Sequence, residues 1–363
     1  MRVLQAVARM DASPEGRATL ELGQELVRLG HESIVVSAGG ELKDRLVLRG
    51  SRHVDMPLDR RRVLALRLVR PLRRLLLELD VDVVHARAPL PAWLFHLAIR
   101  GLPEAQRPKF VTSAHRVYKG GLFNSVMAAG QQVMAVSEFV AAQLRSEFSK
   151  KLVSTPEIVP GGINTRELDR NAPVSGHWHQ RLLNDFPQLE GRNWLLLPAP
   201  LAPGMGHQQF LEMLSALNRQ RGDIFGLVVG EVPPGGDKYA RKLEQLALDL
   251  DLSGRVLFMG PRRDMRELYA SARITYCLNE TPEAYGQTAA EALAMHCPVI
   301  GYDLGGMAEL LQKHFPLGLV HPGDPESLLR VTLAVLDGPV QVESSGLSLE
   351  SMSQQVLSLY ARA

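Results

Sequence analysis

ETPEAYGQTAAEALAMHCPVIGYDLGGMAELL, residues 280–311, is a polar loop that runs into a helix-forming stretch, then into a short apolar run ending at Asp303 and Gly305-Gly306. That order is a loop, a helix and a strand of a β-α series, with ligand-type residues gathered on the loop side. Glu283 precedes the helix and Glu291 lies eight residues later. An intact helix over part of that interval places Glu291 on one face while Glu283 reaches in from the N-terminal approach. Gly286 opens a segment whose free backbone N–H groups can accept an anion or a sugar oxygen, and Gln287 and Thr288 can add hydrogen bonds. On these residues alone the local alternative stays open: Glu283 caps a helix and the two glycines turn the chain.

The same alternation extends to both sides. Strands are expected at 193–199, 224–230, 255–260, 274–279, 297–303 and 318–320, and helices at 207–220, 237–250, 264–271, 286–295 and 306–313. The first half repeats the pattern, with apolar runs at 3–8, 33–37, 81–86, 109–115 and 133–137 and helical stretches at 18–32, 61–79, 91–100 and 138–148. Repeated β-α units argue for α/β architecture: two Rossmann-like, doubly wound domains facing one another across a cleft. The expected domains are 1–165 and 193–340, joined by a polar linker at 166–192 that has room for a short helix, with 341–363 as a segment free to return to the first domain. Ligands of such sheets bind at the carboxyl ends of the strands, which singles out His85, Arg87, His115, Ser137, Glu231, Arg262 and Arg263 besides the 279–291 loop.

Of the 363 residues 45% are hydrophobic, enough for two real cores and against disorder. Forty-one Lys and Arg oppose thirty-nine Asp and Glu, so the net charge of +2 commits the chain to no polyanion and any anion site must be local. The basic cluster lacks the ligand spacing or aromatic motif of a nucleic-acid reader, so no nucleic-acid partner is expected. Two cysteines exclude a disulfide scaffold and suit a reducing compartment. No stretch reads as a membrane span. Residues 59–74, DRRRVLALRLVRPLRR, hold seven arginines among apolar residues, which fits either a solvated helix packed on the core or contact with an anionic membrane surface.

Glu283-x7-Glu291, continued by EALAMHCPVIGYDLGGMAEL, resembles the E-x7-E region of retaining glycosyltransferases of the family-4 type, which have the GT-B fold. His296 stands where that pattern has a glycine, and His115, closing KFVTSAH, occupies its T-x-H position. The resemblance implies a retaining transferase that moves a sugar from a nucleotide-sugar donor to a cell-envelope glycan or lipid-linked acceptor. It implies no cofactor and no essential metal, the nucleotide sugar being a substrate. It implies work in the cytoplasm or at the cytoplasmic face of the inner membrane. In its terms Glu283 contacts donor-sugar hydroxyls, Glu291 the nucleotide ribose, residues 286–288 the diphosphate or sugar, and His115 the sugar and acceptor.

Two loops depart from the family's pattern. Where it carries an Arg and a Lys after the first strand of the second domain, this chain has Ala199-Pro200 and Met205-Gly206; where it carries a Gly-Gly turn near the donor, this chain has Ser13-Pro14. Arg17, Arg262 and Arg263 are the replacements considered for phosphate binding. The competing reading is a catalytically inactive relative that binds carbohydrate or nucleotide sugar.

Overall fold

The apolar runs become strands buried on both faces, as parallel sheets covered by helices require. The computed structural model describes residues 1–60 and 62–363; Arg61, part of the arginine-rich segment, lies outside them. Two units carry the chain, Met1–Gly162 with Gly346–Ala363, and Ile163–Ser345.

The first unit holds β1 (Arg2–Ala6), β2 (Glu32–Ser37), β3 (Arg52–Asp55), β4 (Val83–Ala86), β5 (Lys109–Ala114), β6 (Gln132–Ala135) and β7 (Glu157–Ile158). They pair in the order β3-β2-β1-β4-β5-β6-β7, all parallel. Helices α1 (Pro14–Arg28), α2 (Lys43–Leu48), α3 (Arg62–Ala65), α4 (Val69–Leu79), α5 (Pro89–Arg100) and α6 (Glu138–Phe148) connect them. The single helix expected over 61–79 is interrupted by a 3-10 turn at Leu66–Leu68. Pro71 then falls in the first turn of α4, where its missing N–H has no intrahelical acceptor to serve.

The second unit begins with α7 (Gly176–Asp185) and holds β8 (Asn193–Pro198), α8 (His207–Asn218), β9 (Ile224–Val229), α9 (Asp237–Asp249), β10 (Val256–Phe258), α10 (Met265–Ser271) and β11 (Ile274–Cys277). It continues with α11 (Gln287–Ala294), β12 (Val299–Tyr302), α12 (Gly305–His314), β13 (Leu319–Val320) and α13 (Pro325–Asp337). Its sheet runs β10-β9-β8-β11-β12-β13, again all parallel. In each unit the chain leaves its first strand in one direction and returns to pair that strand's other edge, which opens a crevice at the carboxyl ends of β1 and β4 and of β8 and β11.

Residues 166–192 are not a free linker. Trp178 and Leu182, one turn apart, bury the inner face of α7, and the Trp178 indole N–H donates to Asp264 Oδ2 at 2.7 Å. The Arg266 guanidinium donates to the Asp169 and Ala172 carbonyls at 3.0 and 2.9 Å. The short helix expected in this polar stretch is α7; its one-sided packing is what the polar composition hides. At the other end, α14 (Leu349–Arg362) packs Leu349, Met352, Val356, Leu359 and Tyr360 against Val3, Leu22, Leu26, Val83 and Val111 of the first unit. Among the described residues no helix is long and apolar enough to cross a membrane.

Candidate active site

In the second unit the loops after β8 and β11 meet at the crevice. The Glu280 N–H donates to the Gly204 carbonyl at 2.9 Å. Gly206 has φ +78°, and a Cβ there would stand 2.2 Å from Leu278 Cβ and 2.4 Å from its carbonyl oxygen, so only glycine lets the two loops close up.

Glu283 is held from two directions. Asn279 Nδ2 donates to its Oε1, and the Gly306 N–H donates to its main-chain oxygen at 2.8 Å. Gly305, φ +59°, makes the second contact possible, because a Cβ would lie 2.5 Å from the Glu283 oxygen. Burial pushes the Glu283 carboxyl above the usual carboxylate range, with the Asn279 bond opposing the shift.

Gly286, φ +88°, precedes α11, so Gln287 and Thr288 occupy the first turn, whose N–H groups lack intrahelical partners. Glu291 lies one turn further, accepting from the Tyr269 hydroxyl at 3.3 Å and from Gln287 Nε2 at 3.4 Å. Tyr269 is wholly buried and its hydroxyl is pushed well above its ordinary range, first by burial and then by Glu291, so it remains a donor. The structure thus brings Glu283, Gly286, Gln287, Thr288 and Glu291 to one loop and helix start. Asn279 lies in the 279–291 loop that position singled out but was given no role there, whereas Tyr269, on α10, was missed.

The arginine candidates fare differently. Arg262 forms a two-pronged pair with Asp264, at 2.9 and 2.5 Å, and Asp264 also takes the Trp178 bond, so this cation is already neutralised. Arg263 is exposed. His207, first residue of α8, is fully buried against the Tyr239 ring and offers no charge, since burial lowers its pKa. Pro200 is exposed and Met205 half-buried, with no cation in their places.

In the first unit, Ser13 is the cap of α1, its Oγ accepting from the Gly16 N–H at 3.2 Å, and Pro14 fills the first helical position. Arg17 therefore lies in the first turn of α1 and not in the loop, with its side chain exposed. Arg116 pairs with the buried Glu15 at 2.5 Å. His115 follows β5 and is part-exposed; its Nε2 lies 2.7 Å from Arg87 Nη1 and 3.0 Å from Ser113 Oγ. Burial, then Arg87 and Arg116, holds the imidazole well below its ordinary pKa. Arg87 is only 3% exposed, too buried for a phosphate ligand without rearrangement. A cavity of about 30 Å³ beside these groups, lined also by Glu21 and Gly161-Gly162, has room for a water.

Among the described residues no three His, Cys, Asp or Glu side chains gather as metal ligands. Two family descriptions divide the chain: Glycosyltransferase Family 4 matches residues 16–167 and Glycosyl transferases group 1 matches 182–345. The chain belongs to these glycosyltransferases. Its two units are the Rossmann-like domains of the GT-B fold, and its chemistry is transfer of a sugar from a nucleotide-sugar donor to an acceptor. A glycosyltransferase from Rickettsia africae, at 25% identity, superposes with a TM-score of 0.86 over 99% of this chain and 98% of its own. An uncharacterized glycosyltransferase of Methanocaldococcus jannaschii is 25% identical over 333 residues, 85% of this chain and 81% of that protein. Anabaena HepE, solved in complex with UDP and glucose, is 16% identical with a TM-score of 0.76 over the whole of both chains.

Proposed function

We propose that this transferase retains the anomeric configuration of the donor sugar and delivers it to a cell-envelope glycan or lipid-linked acceptor. The observation that carries the reading is the placement of Glu283 and Glu291 on one loop and helix start at the β8/β11 crevice, with Glu283 fixed by Asn279 and Gly306. Glu283 would orient donor-sugar hydroxyls, Glu291 the ribose, and the N–H groups around Gly286, Gln287 and Thr288 the diphosphate, while His115 faces the sugar and acceptor. Such transfer needs charge growing on the leaving diphosphate to be met by fixed donors, and the incoming hydroxyl held on the face the leaving group vacates. Neither demand requires Glu283 to act as a covalent nucleophile, and no metal or other cofactor takes part in the proposed reaction.

On the acceptor side, the segment around α3 and α4 exposes Leu64, Leu66 and Leu77 beside Arg67, Arg70 and Arg74. That mixture of apolar and cationic groups favours an anionic membrane surface or the lipid of a lipid-linked acceptor, and with it a place at the cytoplasmic face of the inner membrane. The absent Arg and Lys after β8 favour the second reading, a relative that binds nucleotide sugar without turning it over. Arg17 and Arg263, both exposed, are proposed as cations for the diphosphate, Arg262 being engaged by Asp264.

Purified protein incubated with a nucleotide-sugar panel and an envelope extract decides between the two, by donor depletion and acceptor mass gain. Turnover with retained configuration supports the transferase; tight donor binding with no turnover on any acceptor supports the second reading. Vesicle flotation with anionic against neutral lipid tests the membrane proposal separately.

A further inference from the structure

The partners of His115 form a chain of hydrogen bonds that reaches the C-terminal helix. Tyr360 on α14 is fully buried, and its hydroxyl lies 2.6 Å from His85 Nδ1. His85 Nε2 lies 2.8 Å from Ser113 Oγ, which lies 3.0 Å from His115 Nε2. Arg87 Nη1 reaches the same His115 Nε2 at 2.7 Å, and the guanidinium is anchored on Gln5 Oε1 through Nε and Nη2 at 3.3 and 3.0 Å. The Gln5 amide is in turn fixed by donating to the Thr19 carbonyl at 3.1 Å.

The donors and acceptors in this chain admit one consistent direction. A guanidinium only donates, so His115 Nε2 must be the lone-pair nitrogen and Nδ1 must carry the proton. With His115 Nε2 only accepting, the one Ser113 proton donates to it, alongside Arg87, so Ser113 Oγ accepts from His85 Nε2–H and the lone pair on His85 Nδ1 accepts from the Tyr360 hydroxyl.

We propose that Arg87 and Ser113, aligned by His85 and the C-terminal Tyr360, are positioning residues that hold His115 as a neutral imidazole with its proton on Nδ1. His115 then offers a substrate oxygen a hydrogen bond from Nδ1–H, and it does not serve as a general base through Nε2. This assignment rests on the proposed function only for the statement that His115 faces substrate. The groups that bear charge or titrate around the imidazole are Arg87 and His85 on the β4 side, Arg116 beside it, Glu15 and Glu21 of α1, and Tyr360 of α14. Arg87 stays cationic at physiological pH, its pKa lowered by burial only to about 10.

The full chain labelled with ¹⁵N-histidine tests this by long-range ¹H–¹⁵N correlation, the His115 and His85 signals being assigned by loss in His115→Gln and His85→Gln. In the wild type His115 is expected as the Nδ1–H tautomer, unchanged from about pH 8 to about pH 5.5. Arg87→Lys keeps a cationic donor and should keep that signature, whereas Arg87→Met leaves Ser113 as the remaining donor to Nε2 and should raise the pH at which the ring takes a second proton. Tyr360→Phe, which retains the ring packing, should move the His85 proton to Nδ1. Should Arg87→Met not fold, the wild-type tautomer and Tyr360→Phe still decide. An Nε2–H His115 in the wild type, or a His85 indifferent to Tyr360→Phe, overturns the proposal whether or not transfer is ever found. Once transfer is measurable, Arg87→Met should lower kcat about 10- to 100-fold with KM within about twofold, and Arg87→Lys should restore most of it. Intact tautomers with no kcat effect would mean that the hydrogen-bond chain is sound and the substrate-facing role of His115 is wrong.

Discussion

Gly305→Ala tests the geometry on which Glu283 depends. At φ +59° an alanine pays about 1 kcal/mol for left-handed backbone. Its Cβ would also stand 2.5 Å from the Glu283 carbonyl oxygen and 3.1 Å from the Glu283 nitrogen, atoms of the main chain that cannot swing aside. Relieving the overlap pushes the 283 segment away from α12 and loosens the 2.8 Å Gly306-to-Glu283 bond, together about 2 kcal/mol more. Gly323→Ala is the control, since its φ is +80° yet nothing lies within 4 Å of the added carbon. For a unit of this size the melting transition should fall by about 6–12 °C in Gly305→Ala and by about 2–4 °C in Gly323→Ala. A shift of about 1 Å in Glu283 should also cost about 100-fold in transfer in the first variant, with the control unaffected. Equal melting shifts in the two variants would refute the steric argument. A large shift with full activity would refute the role given to Glu283.

Glu283→Gln should reduce transfer at least about 100-fold while leaving the protein as stable as the wild type, or more so, at neutral pH. The sign follows from burial: a carboxyl whose folded pKa is raised favours the folded state below its unfolded pKa and loses that benefit as pH rises through the folded value. The stability gap between variant and wild type should therefore open from acid toward neutral pH in urea titrations, and a gap that closes instead would contradict it. Arg116→Ala should destabilise by about 1–3 kcal/mol, because Glu15 is left buried without its partner; the half-exposed guanidinium keeps the figure below that of a fully buried pair. Chemical denaturation measures it, and a neutral effect would mean that the Arg116–Glu15 pair contributes no net stability. Met205→Lys should tighten nucleoside-diphosphate binding about 10-fold by calorimetry and make it more salt-dependent, and no gain would place the diphosphate away from the β8 loop.

The β-α alternation of the second unit was legible because its strands are short apolar runs bounded by Gly and Pro, while its helices keep one apolar face. The helix expected at 286–295 spans Gln287–Ala294, and that expected at 306–313 spans Gly305–His314. Legibility failed where identity is set by a distant partner. Edge strand β3, Arg-His-Val-Asp, is half-exposed and carries too little apolar pattern to be seen. Arg262 looked like a free cation because Asp264 was weighed as sequence and not as a partner. The tie between Tyr360 and His85 spans 275 residues and no local rule could propose it. Glu283, Glu291 and His115 were singled out as candidates from motif and position, but what holds them had to come from the fold.

The departures from the family pattern then have a common physical reading. With Pro200 and Met205 in place of two cations, and Arg262 neutralised by Asp264, the second unit has little point charge to offer a diphosphate at its crevice. What remains is oriented backbone. Helices α11 and α12 both start at left-handed glycines, Gly286 and Gly305, and each N-terminus carries about half a positive charge. At α11 that charge is spread over N–H groups that can donate to any anion of suitable shape, and it cannot follow the phosphate as a flexible side chain does; at α12 the Gly306 N–H is already committed to the Glu283 main-chain oxygen. Such a site relies on fixed geometry in proportion as it lacks charge. That is a physical reason for main-chain contacts as close as those at Gly206 and Gly305, where a single methyl group would force the loops apart.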